Sequence, residues 1–316
     1  MGSGDRILPE KKILAGILLL ILLTAVMGMR IQNQPVEEAM NRKTVQSGEQ
    51  KEEKKEGEER IRKEETFSQT EKLYQELYQC CKDDESRVEL YVLKMLFQSI
   101  DASYEPETLK AQAVILRSRI WAGQQPGSAS AWNETKPAET ITRNEGVRKG
   151  SEDSMIRMLQ AVLDTRGIVM QKDGEVFCMS YHAMSSGMTR AHPDSSKQGV
   201  SCPGNLAAKN YMTEVKIRGE KIGELGEARR DKQGYVEWIE RDGVWVSGEK
   251  FRVEFGLPSA NFTWELDKGK YCFTVKGIGH GFGFDQYYAN ELAKKGDDFQ
   301  EILHYFDEEI SFERIE

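Results

Sequence analysis

Two segments hold the residues whose types and spacing could do chemistry. In VKGIGHGFGFDQYYAN (275–290), Gly277, Gly279, Gly281 and Gly283 fall at alternate positions around His280. Alternate glycines let backbone approach a neighbour closely or take positive φ, but this spacing alone does not define a phosphate cradle. A loop facing a ligand and a tight turn with His280 hydrogen-bonded in the interior both fit. In YHAMSSGMTRAHPDSSKQGVSC (181–202) stand His182, His192, Asp194 and Cys202. Zinc takes His and Cys, yet these gaps match no compact finger, and the plainer reading is loop histidines with a buried thiol. Ser185 as nucleophile, His280 as base and Asp285 as orienter would make a hydrolytic set, but no G-x-S-x-G elbow supports it.

The elements that must position these residues follow from periodicity. TEKLYQELYQCC (70–81) sets Leu73, Leu77 and the adjacent Cys80 and Cys81 near one helical face, and 87–100 continues as a helix or a strand–helix pair. Residues 107–122 repeat Leu109, Ala113, Leu116 and Ile120 at helical spacing behind Pro106, a favoured first helical residue. Residues 123–150 read as a long loop, and 152–164 as a shorter helix. Asp173–Gly174 between two β-prone runs predicts a hairpin. Further strands are expected at 211–217, 235–246 and 270–275, with Cys178 and Cys272 packed in the core, and a last helix at 286–306 bearing a structural His304. The fold class is α+β, a strand-rich core with flanking helices.

The chain has 316 residues and a formal net charge of −8. The acidity is local, since residues 297–316 carry eight carboxylates against one Arg and read as a solvated tail. No basic stripe marks a nucleic-acid binder. Five cysteines without dense spacing exclude a disulfide scaffold. Residues 13–29 form an uncharged apolar run between Lys12 and Arg30, about 26 Å long as a helix, which predicts an uncleaved transmembrane anchor. The expected organisation is 1–30 as cytoplasmic head and single anchor, 31–66 as charged linker, and 67–316 as a domain outside the cytoplasm. The linker cannot bury a face, because thirteen of the fifteen residues 51–65 are charged.

Three segments in order resemble the stage II sporulation protein D family, also described as the amidase-enhancer domain. LYVLKMLFQSIDASYEPETLKAQAVILRSRIW (90–121) is similar to its helix pair ending in L-K-A-Q-A-x-x-x-R. GIVMQKDGEVFCMSYHAMSSGMTRAHPD (167–194) is similar to its strand and S-x-G turn. VKGIGHGFGFDQYYANELAKKG (275–296) is similar to its G-H-G-x-G-x-x-Q signature.

The resemblance implies a cell-envelope protein acting on peptidoglycan. Active members are lytic transglycosylases in which one carboxylic acid protonates the leaving oxygen and then activates the sugar's own 6-hydroxyl, giving a 1,6-anhydro end. The family's acid is a Glu in a segment reading S-E-M-P. Counted back from Leu109, that position is Ser99, which cannot do this work. Asp101 lies two residues on, some 200° around if the segment is helical; Glu105 and Glu107 have acidic counterparts in the pattern and are poor replacements. The resemblance also implies substrate contacts at Lys110, Gln112, Arg117, Ser185, Ser186, Gly187, His280, Gly281 and Gln286. Some members bind zinc through His and Cys of the middle segment, which here points to His182 with His192 and Cys202. Two functions follow. One is a degenerate, membrane-anchored module that binds glycan strands and positions or stimulates a cell-wall amidase among other envelope proteins. The other is an active lytic transglycosylase using Asp101.

Overall fold

The computed structural model describes residues 88–124, 152–191 and 198–315, with helical positions at 68–69, 72–73 and 75–77. The predicted anchor (13–29), the charged linker, the loop 125–150 and His192 lie outside the described residues. Among the described residues no helix is long and apolar enough to cross a membrane. All of them fall within one unit, Arg60–Glu316.

Helix α1 (Val88–Ser99) is continuous, so the helical alternative holds for 87–100. Helix α2 (Pro106–Gln124) is the central strut. Its apolar residues serve two cores rather than the single face expected. Leu109, Ala113, Leu116 and Ile120 join Leu77, with Val92 and Leu96 of α1 and Leu159 and Val162 of helix α3 (Glu152–Asp164). Ala111, Val114 and Ile115 turn to a second core with Phe284, Leu303 and Phe306. A helix apolar on several sides is buried, and Ala111 to Ser118 are all buried here.

Strands β1 (Ile168–Lys172) and β2 (Glu175–Val176) form the predicted hairpin, with Asp173 and Gly174 at φ 55° and 82°. The acidic tail is not simply solvated. Strand β11 (Ser311–Arg314) pairs antiparallel with β1, and Asp307 and Glu309 both bond Lys172, at 3.0 and 2.9 Å. A short strand β3 (Tyr181–His182) runs parallel to β10 (Phe284–Asp285).

The middle of the chain builds a third core around Phe251, Phe262, Phe273 and Val275. One sheet has the order β4–β9–β8, from β4 (Met212–Arg218), β8 (Phe262–Asp267) and β9 (Lys270–Lys276). Cys272 is on its outer face, between Lys216 and Glu265 in register and partly exposed, not in the core as expected. The other sheet has the order β5–β6–β7, from β5 (Leu225–Arg230), β6 (Val236–Arg241) and β7 (Val244–Ser247). The single strand expected over 235–246 is thus a hairpin, because Asp242 and Gly243 take the same left-handed pair of conformations, φ 50° and 75°, as Asp173–Gly174. Short helix α4 (Gly219–Ile222) and α5 (Gly248–Phe255) connect these strands.

The last helix is also two, α6 (Gln286–Ala293) and α7 (Phe299–Phe306). Gly296 at φ 106° breaks the run, and Asp298 restarts it through a capping box with Glu301.

Candidate functional site

The alternate glycines are a backbone-packing device. Gly277, Gly279, Gly281 and Gly283 all have positive φ, between 72° and 105°. Built Cβ atoms would press on Met184 O at 2.7 Å, His182 Cβ at 2.8 Å and the Tyr235 ring at 2.6 Å for the first three, and on Ser180 O for Gly283. Residues 277–283 therefore lie directly on 180–190, with bridges Met184 to Ile278 and Arg190 to Phe282.

That contact fixes both histidines. His182 Nδ1–H donates to Phe282 O at 3.0 Å, while its buried Nε2 lies 3.6 Å from Asp285 Oδ2. His280 Nδ1 accepts from Phe282 N–H at 3.0 Å, and its ring lies 5.7 Å from that of His182. Burial, with the His182 ring adding to it, holds the His280 pKa down to about 3, so it is neutral at ordinary pH.

Asp285 is a buried hub. Its Oδ1 accepts from Tyr288 N–H at 3.0 Å, capping α6, and its Oδ2 accepts from Ser185 N–H at 2.7 Å and Asn205 Nδ2 at 2.6 Å. Burial acts to raise its pKa, but His182 beside it and these N–H donors outweigh it and hold the carboxyl below the usual range. Ser185 Oγ accepts from Asn205 Nδ2 at 3.0 Å, and Ser186 is bonded to Tyr235, Tyr211 and Asn261. Gly187 at φ 101° closes the turn and accepts Cys202 N–H. Ser185, His280 and Asp285 do not form a relay, since each is committed elsewhere.

The polar residues of α2 divide. Arg117 was expected to meet a ligand, but it has 0% exposure. Its Nε and Nη2 bond both oxygens of Glu89 at 2.7 Å each, and its remaining N–H groups reach Thr165, Val162 O and Ile168 O. It is a structural tie between α1, α2 and β1. Lys110, partly exposed, pairs with Glu107 at 2.8 Å and Asp164 at 3.0 Å. The other Glu107 oxygen accepts Phe299 N–H at 3.1 Å, joining α2 to α7. Gln112 and Gln286 do come together. Gln286 Nε2 donates to Gln112 Oε1 at 3.1 Å and to Ser99 O at 2.7 Å, while buried Gln112 Nε2 has no partner.

Ser99 is the last residue of α1. Its Oγ points back to Leu96 O at 3.4 Å, and the Tyr181 side chain lies beside it. Burial raises the Tyr181 pKa, with Arg119 acting against it from 5.2 Å over the ring. The helix ends before Asp101, so the helical angle does not apply there. Asp101 instead closes a turn, its Oδ1 accepting Ser103 N–H at 2.9 Å. Tyr104 beside it has its pKa raised, first by burial and then by Asp101. Ser99, Asp101, Tyr104, Arg119, Tyr181 and His280 are all partly exposed, and Tyr181 joins Ser99, Arg119 and His280 where α1 meets β3 and the glycine loop. Arg119, Tyr181 and Tyr104 were not singled out from sequence. Arg119 shares a helix with the more conspicuous Arg117, and the Tyr181–Ser99 contact spans parts of the chain that sequence spacing does not connect. Such a cluster offers neutral donors and one cation to a hydroxyl-rich ligand.

The expected zinc set of His182, His192 and Cys202 includes His192, which lies outside the described residues. Among them, no three His, Cys, Asp or Glu gather as a metal group. Burial, then Asp285, pushes the Cys202 thiol up.

The site is that of an α+β domain whose glycine loop packs on residues 180–190 and whose glutamine pair bonds the end of α1. The family described as Stage II sporulation protein matches residues 80–171. Stage II sporulation protein D of Bacillus amyloliquefaciens is 25% identical over 248 residues, which cover 69% of this chain and 72% of the relative. The Bacillus subtilis protein of the same name is 24% identical over 247 residues, with the same coverage. The chain is a divergent relative of the stage II sporulation protein D family.

Proposed function

We propose that this is a cell-wall protein of the sporulation type that binds peptidoglycan glycan strands at the end of α1 without cutting them, and positions or stimulates a cell-wall amidase. The apolar run 13–29 would anchor it as a single-pass protein of the cell membrane with its domain outside. The observation that carries this reading is Ser99. Where the family resemblance implies an acid, there is a hydroxyl turned to a backbone carbonyl, beside a tyrosine of raised pKa and a histidine that stays neutral. None of these can protonate a glycosidic oxygen and return as base near neutral pH. Without that group a factor of about 10²–10⁴ in rate is missing.

A second reading keeps the enzyme active through Asp101. It draws on one feature: Asp101 stands at the same end of α1, and only its Oδ1 is engaged by the turn.

Full-length protein in detergent, incubated with peptide-free glycan strands, separates the two by mass spectrometry of strand ends. The binding reading expects no 1,6-anhydro ends from wild type or Asp101→Asn, and their appearance in Ser99→Glu. Product from wild type that disappears in Asp101→Asn would replace it with the enzymatic reading.

A further inference from the structure

The β5–β6–β7 sheet buries one face on the third core and leaves the other open. The register settles which residues face out. Arg229 pairs Trp238, Trp238 pairs Ser247, and Glu240 pairs Trp245, whereas Ala228, Ile239 and Val246 turn inward. A Cβ at Gly226 would meet Glu240, which puts that carboxylate on the outer face too. Trp238 and Trp245 are 46% and 37% exposed. Directly opposed and diagonal positions on one face of an antiparallel pair lie about 5–8 Å apart, so the two indoles are neighbours.

Among the described residues the charges around them lack ion-pair partners, although one is stacked on an indole. Arg229 lies over the Trp245 ring at 4.3 Å. Neither Arg229 nor Glu240 has an ion-pair partner among the described residues, although both stand on the same small face. The face thus combines two flat apolar rings, an unpaired cation, an unpaired carboxylate and the Ser247 hydroxyl.

We infer that this face is a second glycan-binding surface, distinct from the cluster at Ser99 and built on a different core. Its occupant is a β-linked strand of amino sugars. The apolar C–H faces of pyranose rings stack on indoles, Glu240 accepts from hydroxyl or acetamido groups, and Arg229 meets the lactyl carboxylate that alternate sugars of a peptide-free strand carry. The charge match to that carboxylate, with acceptors for neutral sugar groups beside it, favours a glycan over an apolar protein helix. This inference rests on the glycan-binding reading of the protein.

The test measures binding of full-length protein in detergent to peptide-free glycan strands. It compares wild type, the Trp238→Ala/Trp245→Ala double variant, a Trp245→Tyr variant and Arg229→Gln. The double variant should bind about tenfold more weakly, the scale of one or two lost aromatic contacts. Trp245→Tyr should retain most of the affinity. Arg229→Gln should weaken binding to these strands but not to chitin oligomers, which lack the lactyl carboxylate. Unchanged thermal unfolding of the double variant would show that the loss is local, as expected for exposed rings. Should wild type bind strands and the double variant bind them equally, the surface is not a glycan site, while the proposed function stands. Wild type that binds no strands overturns both. A change of oligomeric state in the double variant, with strand affinity intact, would identify the face as a contact between copies and overturn the inference.

Discussion

A guanidinium with no solvent access cannot meet a ligand, so Arg117 belongs to the fold rather than the site. Its charge is tolerated because Glu89 takes it bidentately and three further oxygens take its other N–H groups. Breaking such a pair leaves a charge buried alone, and Glu89→Gln or Arg117→Met should cost about 3–5 kcal/mol in denaturant unfolding. A loss below 1 kcal/mol would mean that solvent reaches the pair. His280 makes a pH-dependent prediction. Its pKa is about 3 when folded against 6.5 as the ordinary value, so between those limits the unfolded chain binds the extra proton. Stability should therefore fall as pH drops from about 6.5 toward 3. His280→Gln should flatten that slope, measured by urea unfolding across the range. The Asp285 contribution has a different window. Its folded pKa lies below 3.8, so its stabilisation is present above that value and is lost as pH falls through the lower, folded one. Sequence types alone mark His280 and Asp285 as interesting. They cannot tell a proton-transfer pair from a packed, hydrogen-bonded one, because that depends on which atoms the glycine loop brings near.

Segments obey local signals where the signal is local. Asp173–Gly174 makes its hairpin, and Pro106 starts its helix as its fixed φ suits. The same Asp-Gly signal at 242–243 lies inside the β-prone stretch 235–246, and the turn from β8 into β9 is made by Lys268–Gly269, a pair without Asn or Asp at its left-handed first position. The alternate glycines were legible as close-approach residues, but their partner, 180–190, is about a hundred residues away and no spacing points to it. Their packing role makes a graded prediction. Gly174 has open space where a Cβ would stand, so Gly174→Ala should cost only about 1 kcal/mol, the left-handed penalty. Gly281→Ala and Gly283→Ala also collide with the Tyr235 ring and Ser180 O, and should each cost about 2 kcal/mol or more. Equal losses at all three positions, read from thermal or urea unfolding, would contradict the close packing of the loop.

The molecule as a whole joins a helical half, where α2 carries two cores, to a strand-rich half with a third. The α+β class was readable because helical and alternating periods occupy separate stretches of chain. The division of α2 between two cores was not, since burial on several sides erases the one-faced pattern. Arg117 departs from the expected substrate contact for a related reason: polar residues seven apart share a helix face, but at Arg117 that face is buried against α1 and β1, whereas Lys110 stays partly exposed beside Glu107 and Asp164. Gln112, Gln286 and Ser99, by contrast, are joined by hydrogen bonds that no sequence pattern requires. They support the end of α1 in a form to which a carboxylate could be restored at position 99. The most direct test of the account is co-sedimentation of full-length wild-type protein with insoluble peptide-free glycan strands, followed by mass spectrometry of the supernatant. The account predicts protein in the pellet and no 1,6-anhydro sugars in solution. Anhydro sugars released by the wild-type chain would contradict it.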